Sequence, residues 1–481
     1  MPSESLKNKT LNAFLWNFIQ TVGVQGVRFI TGIVLARLLS PEEFGLTAMV
    51  MVFVNVTQPF FDGGFGAALV QKASITPTEY NSVFYFNIFM GLFVAILIFL
   101  SAPWVAAFYN QPRLILMTRA LSVILVINSF GLVQSAILTK QINFKIQTKA
   151  VFFSGIFSGI FGIGLALIGF GVWSLVFQQI LNAMLIMLCL WVLNDWRPSL
   201  SFSFQSLRAM FPFGSRIMAS GVLSIASENL YTMVIGRILS ARDLGLFTRA
   251  QNLEALPASS LSMLVSKVIF PVFSSIQDDI VRVKSALKKV LKMTAFLSFP
   301  LMIGMAAASH AFVMVLLGEK WIECIPYLQL FCVVGLLYPI EEINLNLLLS
   351  LGRSDLYLRL RFVRMVLIFS NIGLTWRFGV SALILGMIAI SVVLFSLSSF
   401  YVGRSTDYKL TKQFRDLLPY LFLALVMGIV VYGVKFLFVN QFITLSVQIA
   451  TGCLLYICLC SLLRMTAFID LWQILSKINH K

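Results

Sequence analysis

Fourteen long apolar runs leave this chain one class of fold. They cover roughly 12–35, 44–70, 82–107, 114–138, 149–170, 171–193, 213–239, 250–275, 292–315, 324–349, 359–381, 382–403, 417–439 and 442–464. A helix needs about 20 apolar residues to cross a bilayer core, whereas a strand of a membrane barrel needs about ten, alternating in character. These runs are continuous, so they are expected to be helices. The expected fold is an all-α polytopic membrane protein of about 14 transmembrane helices. Only 11% of the 481 residues are charged and 59% are hydrophobic, against about 25% charged in soluble domains. No soluble globule of this size could cover so much apolar surface, and a soluble enzyme on a lipid anchor is excluded. The weakest division is between 149–170 and 171–193, where only Gly169-Phe170-Gly171 marks a turn.

The net charge of +17 would suggest nucleic acid in a soluble protein, but no nucleic-acid motif accompanies it. Its distribution points to membrane orientation. With the N-terminus placed in the cytoplasm, segments on that side hold 24 Lys and Arg, and those on the other side hold 8. That bias puts both termini in the cytoplasm. The polar start, with Lys7 and Lys9, leads into an apolar run longer than a signal-peptide core, so no cleavable signal is expected. The six cysteines lie in or beside apolar runs and the chain has two histidines, His310 and His480. No metal site, disulfide framework or cofactor is expected. A P-loop is absent from the sequence, which argues against direct ATP drive, and nothing in it indicates an enzyme.

An internal repeat divides the chain. Residues 33–46 read IVLARLLSPEEFGL and residues 233–246 read MVIGRILSARDLGL. At a constant offset, Val34, Arg37, Leu39, Ser40, Gly45 and Leu46 recur as Val234, Arg237, Leu239, Ser240, Gly245 and Leu246. Each copy falls in the hairpin between the first two spans of a six-span block. An even number of spans makes the repeat parallel, about an axis along the membrane normal, and substrate sites in such proteins lie between the halves. The expected organisation is therefore a six-helix lobe at 1–198, a second at 207–403, two further spans at 417–464, and an amphipathic cytoplasmic tail at 465–481. The tail places Phe468, Leu471, Trp472, Leu475 and Ile478 at helical spacing. The link 275–292 does the same with Ile276, Ile280, Val283, Leu287 and Leu291, opposite Arg282, Lys284, Lys288, Lys289 and Lys292. It reads as an interfacial helix on an anionic leaflet or as a solvated linker.

Ionisable groups inside spans are costly and tend to face a cavity or a partner. Arg28 lies about two-thirds of the way through the first span, roughly 10 Å from its outer end at 1.5 Å per residue. It is a candidate for a central cavity, and so is Lys267, which lies deep in the eighth span; Arg216 and Arg119, near span ends, read more as snorkelling cations, although Arg216 could supply the cavity's charge as well. The acids Asp62, Glu228, Glu254 and the adjacent Glu341 and Glu342 are candidates for coupling protons or Na⁺, and could equally neutralise the buried cations. Prolines at 59, 257, 271, 300, 326 and 339 imply bends. Gly155, Gly159, Gly162, Gly164 and Gly169 form a small-residue packing face of structural character.

The segments ARLLSPEEFGL (36–46), DGGFGAALVQ (62–71), GRILSARDLGLFTRAQ (236–251), VIFPVFSS (268–275) and GRSD (352–355) make the chain resemble the polysaccharide-exporter branch of the multidrug/oligosaccharidyl-lipid/polysaccharide superfamily, the Wzx-type flippases. The resemblance runs through nearly the whole chain. It implies a two-lobed bundle that moves undecaprenyl-diphosphate-linked oligosaccharide across the bacterial inner membrane by alternating access. It also implies an arginine on the first span that holds the diphosphate, a placement Arg28 matches. The last two spans would form a lipid-tail groove by analogy with lipid II flippases. Partners implied are the lipid-linked oligosaccharide, membrane lipids, a polysaccharide polymerase and a chain-length regulator. A drug/cation antiporter of the same superfamily is the alternative within transporters. A membrane polysaccharide polymerase is the alternative among enzymes, but would be expected to carry a large external loop.

Overall fold

The computed structural model describes residues 23–470, and the side chains of these residues except for 259–272. Every described element is helical, and each of the fourteen apolar runs contains a helix. In chain order they are α1 (23–38), α2 (Pro41–Asp62), α3 (Phe65–Gln71), α4 (Pro77–Tyr109), α5 (Leu114–Lys140), α6 (Phe144–Leu167), α7 (Val172–Leu193) and α8 (Phe204–Ile238). They continue with α9 (Ala241–Ser275), α10 (Ile280–Ala307), α11 (Ser309–Leu316), α12 (Cys324–Ser350), α13 (Ser354–Thr375), α14 (Gly379–Thr406), α15 (Leu410–Val434) and α16 (Gln441–Leu462). Among the described residues, eleven helical stretches are long and apolar enough to cross a membrane, and one of these, Ser354–Thr406, contains both α13 and α14. The chain divides into two compact units, with the boundary between Gly245 and Leu246.

In the first unit, short polar signals set the helix starts. Ser40 caps α2 and Thr76 caps α4, each in a reciprocal box with the glutamate three residues on, Glu43 and Glu79. α4 packs on α5, α5 on α7, and α6 on α7, while α2 lies against α4, α5 and α8. α1 meets α6 where Gly155 and Gly159 leave room for Val27 and Thr31. In hydrocarbon, burying apolar side chains against one another gains little over burying them in lipid, so close approach at small residues carries the packing. The chain between α7 and α8 is docked rather than loose. Asn81 Nδ2 donates to Oγ of Ser199 (2.6 Å) and Ser201 (2.7 Å), Ser203 N–H donates to Ser82 Oγ (2.8 Å), and Gln134 Nε2 donates to the Trp196 carbonyl (3.1 Å).

The repeat motif has a physical basis in this unit. Ser240 forms the same helix start as Ser40: Asp243 N–H donates to Ser240 Oγ (3.0 Å), whose hydroxyl donates to Asp243 Oδ2 (2.6 Å). The two starts are pressed together reciprocally. A methyl group on Gly45 would overlap the backbone carbonyl of Ala241, and one on Gly245 would overlap that of Pro41. Pro41 and Ala241 are equivalent under the repeat offset, so the contact is isologous, with residue i on j and j on i.

In the second unit, α10 packs on α15 and α12, α12 on α14, α13 on α14, and α15 and α16 on each other. Its core gathers Phe273, Leu287, Leu291, Phe299, Tyr420 and Tyr456. A wholly buried polar chain crosses three helices: Asn344 Nδ2 donates to Ser399 Oγ (3.1 Å), Ser399 Oγ donates to Gln413 Oε1 (2.9 Å), and Gln413 Nε2 donates to the Tyr408 carbonyl (3.1 Å).

The amphipathic reading of 275–292 is corrected here. The segment is no separate interfacial helix. From Ile280 it is the first half of α10, and Val283, Leu287 and Leu291 are buried in the protein core. Its lysines meet acids of the same unit: Lys284 with Asp407 (3.0 Å), Lys288 and Lys292 with Asp416 (both 3.2 Å), and Lys289 with Asp470 (3.1 Å). Two other runs differ in continuity. The second breaks at Gly63-Gly64, both left-handed, and the ninth breaks at Ala308. Of the tail, Phe468 packs on the core of this unit, and Leu471, Trp472, Leu475 and Ile478 lie outside the described residues.

Candidate functional site

The candidate residues are divided between the two units: Arg28, Asp62, Arg216 and Glu228 belong to the first, and Glu254, Lys267 and Glu341 to the second. Arg28 stands on one stripe of α1 with Val24, Thr31 and Leu35, at spacings of four, three and four. Those three are buried, whereas Arg28 is exposed, so its guanidinium leaves the packed stripe. Among the described residues it has no ion-pair partner. Arg216 and Glu228 are both exposed on α8. Twelve residues of helix separate them, about 18 Å, too far for a direct pair.

Asp62 has a local task. Gly63 (φ 57°) and Gly64 (φ 70°) turn the chain at the end of α2, and Gly66 N–H then donates to Asp62 Oδ1 (3.0 Å). The carboxylate thereby closes the first turn of α3, where a negative charge is favoured. Gly64 is required twice, by its backbone angle and because any Cβ would overlap the Gly214 carbonyl of α8.

The second unit holds the most concentrated charge inside spans. Glu341 of α12 is buried and paired with Arg364 of α13, and Glu342 pairs with Arg361 (3.2 Å). Arg361 Nε also donates to the Tyr357 hydroxyl (3.2 Å), and its guanidinium lies 5.2 Å from that ring. Two adjacent acids pointing about 100° apart are thus matched by two arginines three residues apart. Glu254 of α9 is also buried, and its carboxylate occupies the space left by the missing side chain of Gly335 on α12, near Met302 of α10. Among the described residues it has no ion pair. Lys267 lies on the part of α9 whose side chains are outside the described residues.

Sequence reasoning missed Arg361 and Arg364, which it counted among loop cations. The available signal was the matched spacing: Glu341-Glu342 on one span, and two arginines on one face of the next. The polar chain Asn344–Ser399–Gln413 was also missed, since single amides in apolar runs carry no signal of their own.

Helices of membrane-spanning length, ion pairs between neighbouring helices, and a motif packed on its own repeat fit a multi-pass membrane protein. Residues 34–326 match the family described as "Polysaccharide biosynthesis protein", and the chain belongs to that family. It is 26% identical to the teichuronic acid biosynthesis protein TuaB of Bacillus subtilis, over 94% of this chain and 95% of that one. It is 27% identical to the lipopolysaccharide biosynthesis protein WzxC of Escherichia coli, over 89% of each. It is 28% identical to the succinoglycan biosynthesis transport protein ExoT of Rhizobium meliloti, over 70% of this chain and 68% of that one. Among solved structures, the lipid II flippase MurJ in an inward closed conformation shares the fold, with a TM-score of 0.75 and 16% identity over 94% of this chain and 98% of that one. An inward-facing MATE-family multidrug transporter is more distant, at a TM-score of 0.53 and 14% identity over 82% and 96%.

Proposed function

We propose that this protein is a flippase. It carries undecaprenyl-diphosphate-linked oligosaccharide repeat units across the bacterial inner membrane by alternating access, for assembly of a surface polysaccharide. One observation carries the reading. Relatives that match most of the chain's length are named for three chemically different polymers. A step common to all three is independent of the sugar, and passage of the lipid-linked unit through the bilayer is such a step. The relative named as a transport protein and the shared fold with a lipid II flippase support the same step.

In this reading both termini are cytoplasmic, as the Lys and Arg distribution favours. The lobes 1–198 and 207–403 rock about a cavity, with 417–464 appended and 465–481 as the tail. The reciprocal contact at Gly45 and Gly245 is what a twofold relation between the lobes would produce. Arg28, exposed on an otherwise buried stripe, holds the diphosphate by charge-assisted hydrogen bonds, with Arg216 and Lys267 as further cations along the route. Asp62 and Glu341 are occupied by the Gly66 amide and Arg364, which leaves Glu228 and Glu254 to bind the coupling ion. A polysaccharide polymerase and a chain-length regulator act on the delivered units.

The test uses a deletion strain. Lipid-linked repeat units should accumulate in the membrane while surface polymer is lost, and the wild-type gene should restore it. Single unpolymerised units at the surface would instead indicate a polymerase. Unchanged polysaccharide together with lost resistance to organic cations would indicate a drug antiporter. An Arg28→Ala variant that inserts normally should fail to restore export; full restoration would remove Arg28 from the site.

A further inference from the structure

At one end of the second unit, the turn before α10, the end of α12, the first turns of α13 and the end of α14 line a half-open cavity of about 580 Å³. Three arginines line it, Arg353, Arg359 and Arg404, with the hydroxyl-bearing Tyr401 and Ser405. The one carboxylate in the lining, Asp355, is paired with Arg353 at 3.5 Å. Arg359 and Arg404 have no acidic partner among the described residues. Arg404 is steadied by Phe400, whose ring centre lies 5.0 Å from the guanidinium. The nearby Asp407 does not serve them, because Lys284 and Lys412 hold it. The amide end of α13 opens at the same place, and no side chain caps it. Two arginines without acids, beside the positive end of a 22-residue helix, favour an anion with several acceptor oxygens.

We infer that this cavity binds a phosphate group, supplied as the headgroup of an anionic phospholipid. What selects a lipid is the surface beside the cavity. Leu358 and Phe362, close to Arg359 on α13, and Phe400, one turn before Arg404 on α14, are exposed apolar side chains. A ligand with its phosphate on the arginines would lay acyl chains along these residues. The arginines stand at the ends of helices of membrane-spanning length, where headgroups lie. The cavity belongs to the second unit and Arg28 to the first, and lipid binding here does not depend on what the protein transports.

The experiment is native mass spectrometry of the purified full chain, exchanged in turn into phosphatidylglycerol and phosphatidylcholine. The wild type should retain phosphatidylglycerol over phosphatidylcholine. The Arg359→Ala/Arg404→Ala variant should lose that preference about tenfold or more, the loss expected for one charge-assisted hydrogen bond, with its melting temperature unchanged. If the double variant does not fold, Arg359→Gln alone is held to the same criterion. No preference in the wild type, or equal preference in a folded variant, overturns the site. Displacement of phosphatidylglycerol by sub-millimolar inorganic phosphate would overturn the lipid as its ligand and assign the cavity to soluble phosphate.

Discussion

Gly45→Ala tests the contact on which the repeat motif rests, because two opposed terms of known size meet there. In an unobstructed helix, replacing glycine by alanine gains about 1 kcal/mol from the reduced backbone entropy of the unfolded chain. At Gly45 the new methyl carbon would lie 2.6 Å from the Ala241 carbonyl carbon and 3.1 Å from its Cα. Carbon atoms pack best at about 3.5–4.0 Å, and the Ala241 carbonyl oxygen would lie closer still, so the two helix starts would have to part by more than about 1 Å. Backbone cannot swing aside as a side chain can. Overpacking of this kind costs about 1–3 kcal/mol, and a gap of that size forfeits about a quarter to a half of each dispersion contact around it. The expected net effect is a loss of about 1–2 kcal/mol. Gly245→Ala should lose as much, since its methyl carbon would lie 2.7 Å from the Pro41 carbonyl carbon. The double variant should lose less than the sum, because once the helices have parted for one methyl the other fits. Gly164→Ala is the control: nothing lies within 4 Å of its added carbon, so it should be neutral or stabilising. Thermal unfolding of the detergent-purified protein measures all four. If Gly45→Ala behaves like Gly164→Ala, or if the double variant is additive, the reciprocal contact is not what demands glycine at these positions.

Three further outcomes are expected. Arg364→Leu leaves the buried Glu341 carboxylate without its partner and should cost about 3 kcal/mol, the lower end for a broken buried pair, whereas Arg364→Leu/Glu341→Leu should recover most of it; thermal unfolding of both variants decides. Gln413→Leu removes the centre of the α12–α14–α15 polar chain and should cost about 0.6–1.7 kcal/mol, the range for hydrogen bonds between membrane helices; no change in unfolding temperature would mean the chain is not stabilising. Hydrogen bonds from Lys284 and then Lys412 hold the Asp407 carboxyl below the ordinary carboxylate range. Its pKa falls on folding, so its contribution is complete above about pH 4 and is lost as pH drops through the folded value. Asp407→Asn should therefore lower the unfolding temperature at pH 7, with the effect shrinking as the pH is lowered into the acid range; an equal effect at neutral and acid pH would show that charge is not the cause.

Several features are legible in the amino-acid sequence. The fourteen apolar runs each hold a helix because run length against bilayer thickness is a one-dimensional property. Ser40 with Glu43, and Ser240 with Asp243, announce helix starts because capping acts within one turn. The Gly155–Gly159 face is readable as packing, and it meets Val27 and Thr31. Legibility ends where a charge needs a distant partner to be understood. Arg361 and Arg364 look like loop cations because apolar content alone sets the edge of that span, and the acids that hold them lie a helix away. The lysines of 284–292 look like a membrane-facing stripe for the same reason: Lys284 meets Asp407 across 123 residues of chain.

The sequence by itself therefore determined the class of fold, the order of the apolar runs along the chain, and the repeat, since length, period and capping are local quantities. Only the tertiary structure decided which ionisable groups are spoken for. It pairs Glu341 with Arg364, uses Asp62 at a helix start, and leaves Arg28 exposed on a buried stripe and two arginines of the α13–α14 cavity without an acid among the described residues. In hydrocarbon a charge settles according to which helix stands beside it, and that neighbour is chosen by packing at small residues far away along the chain.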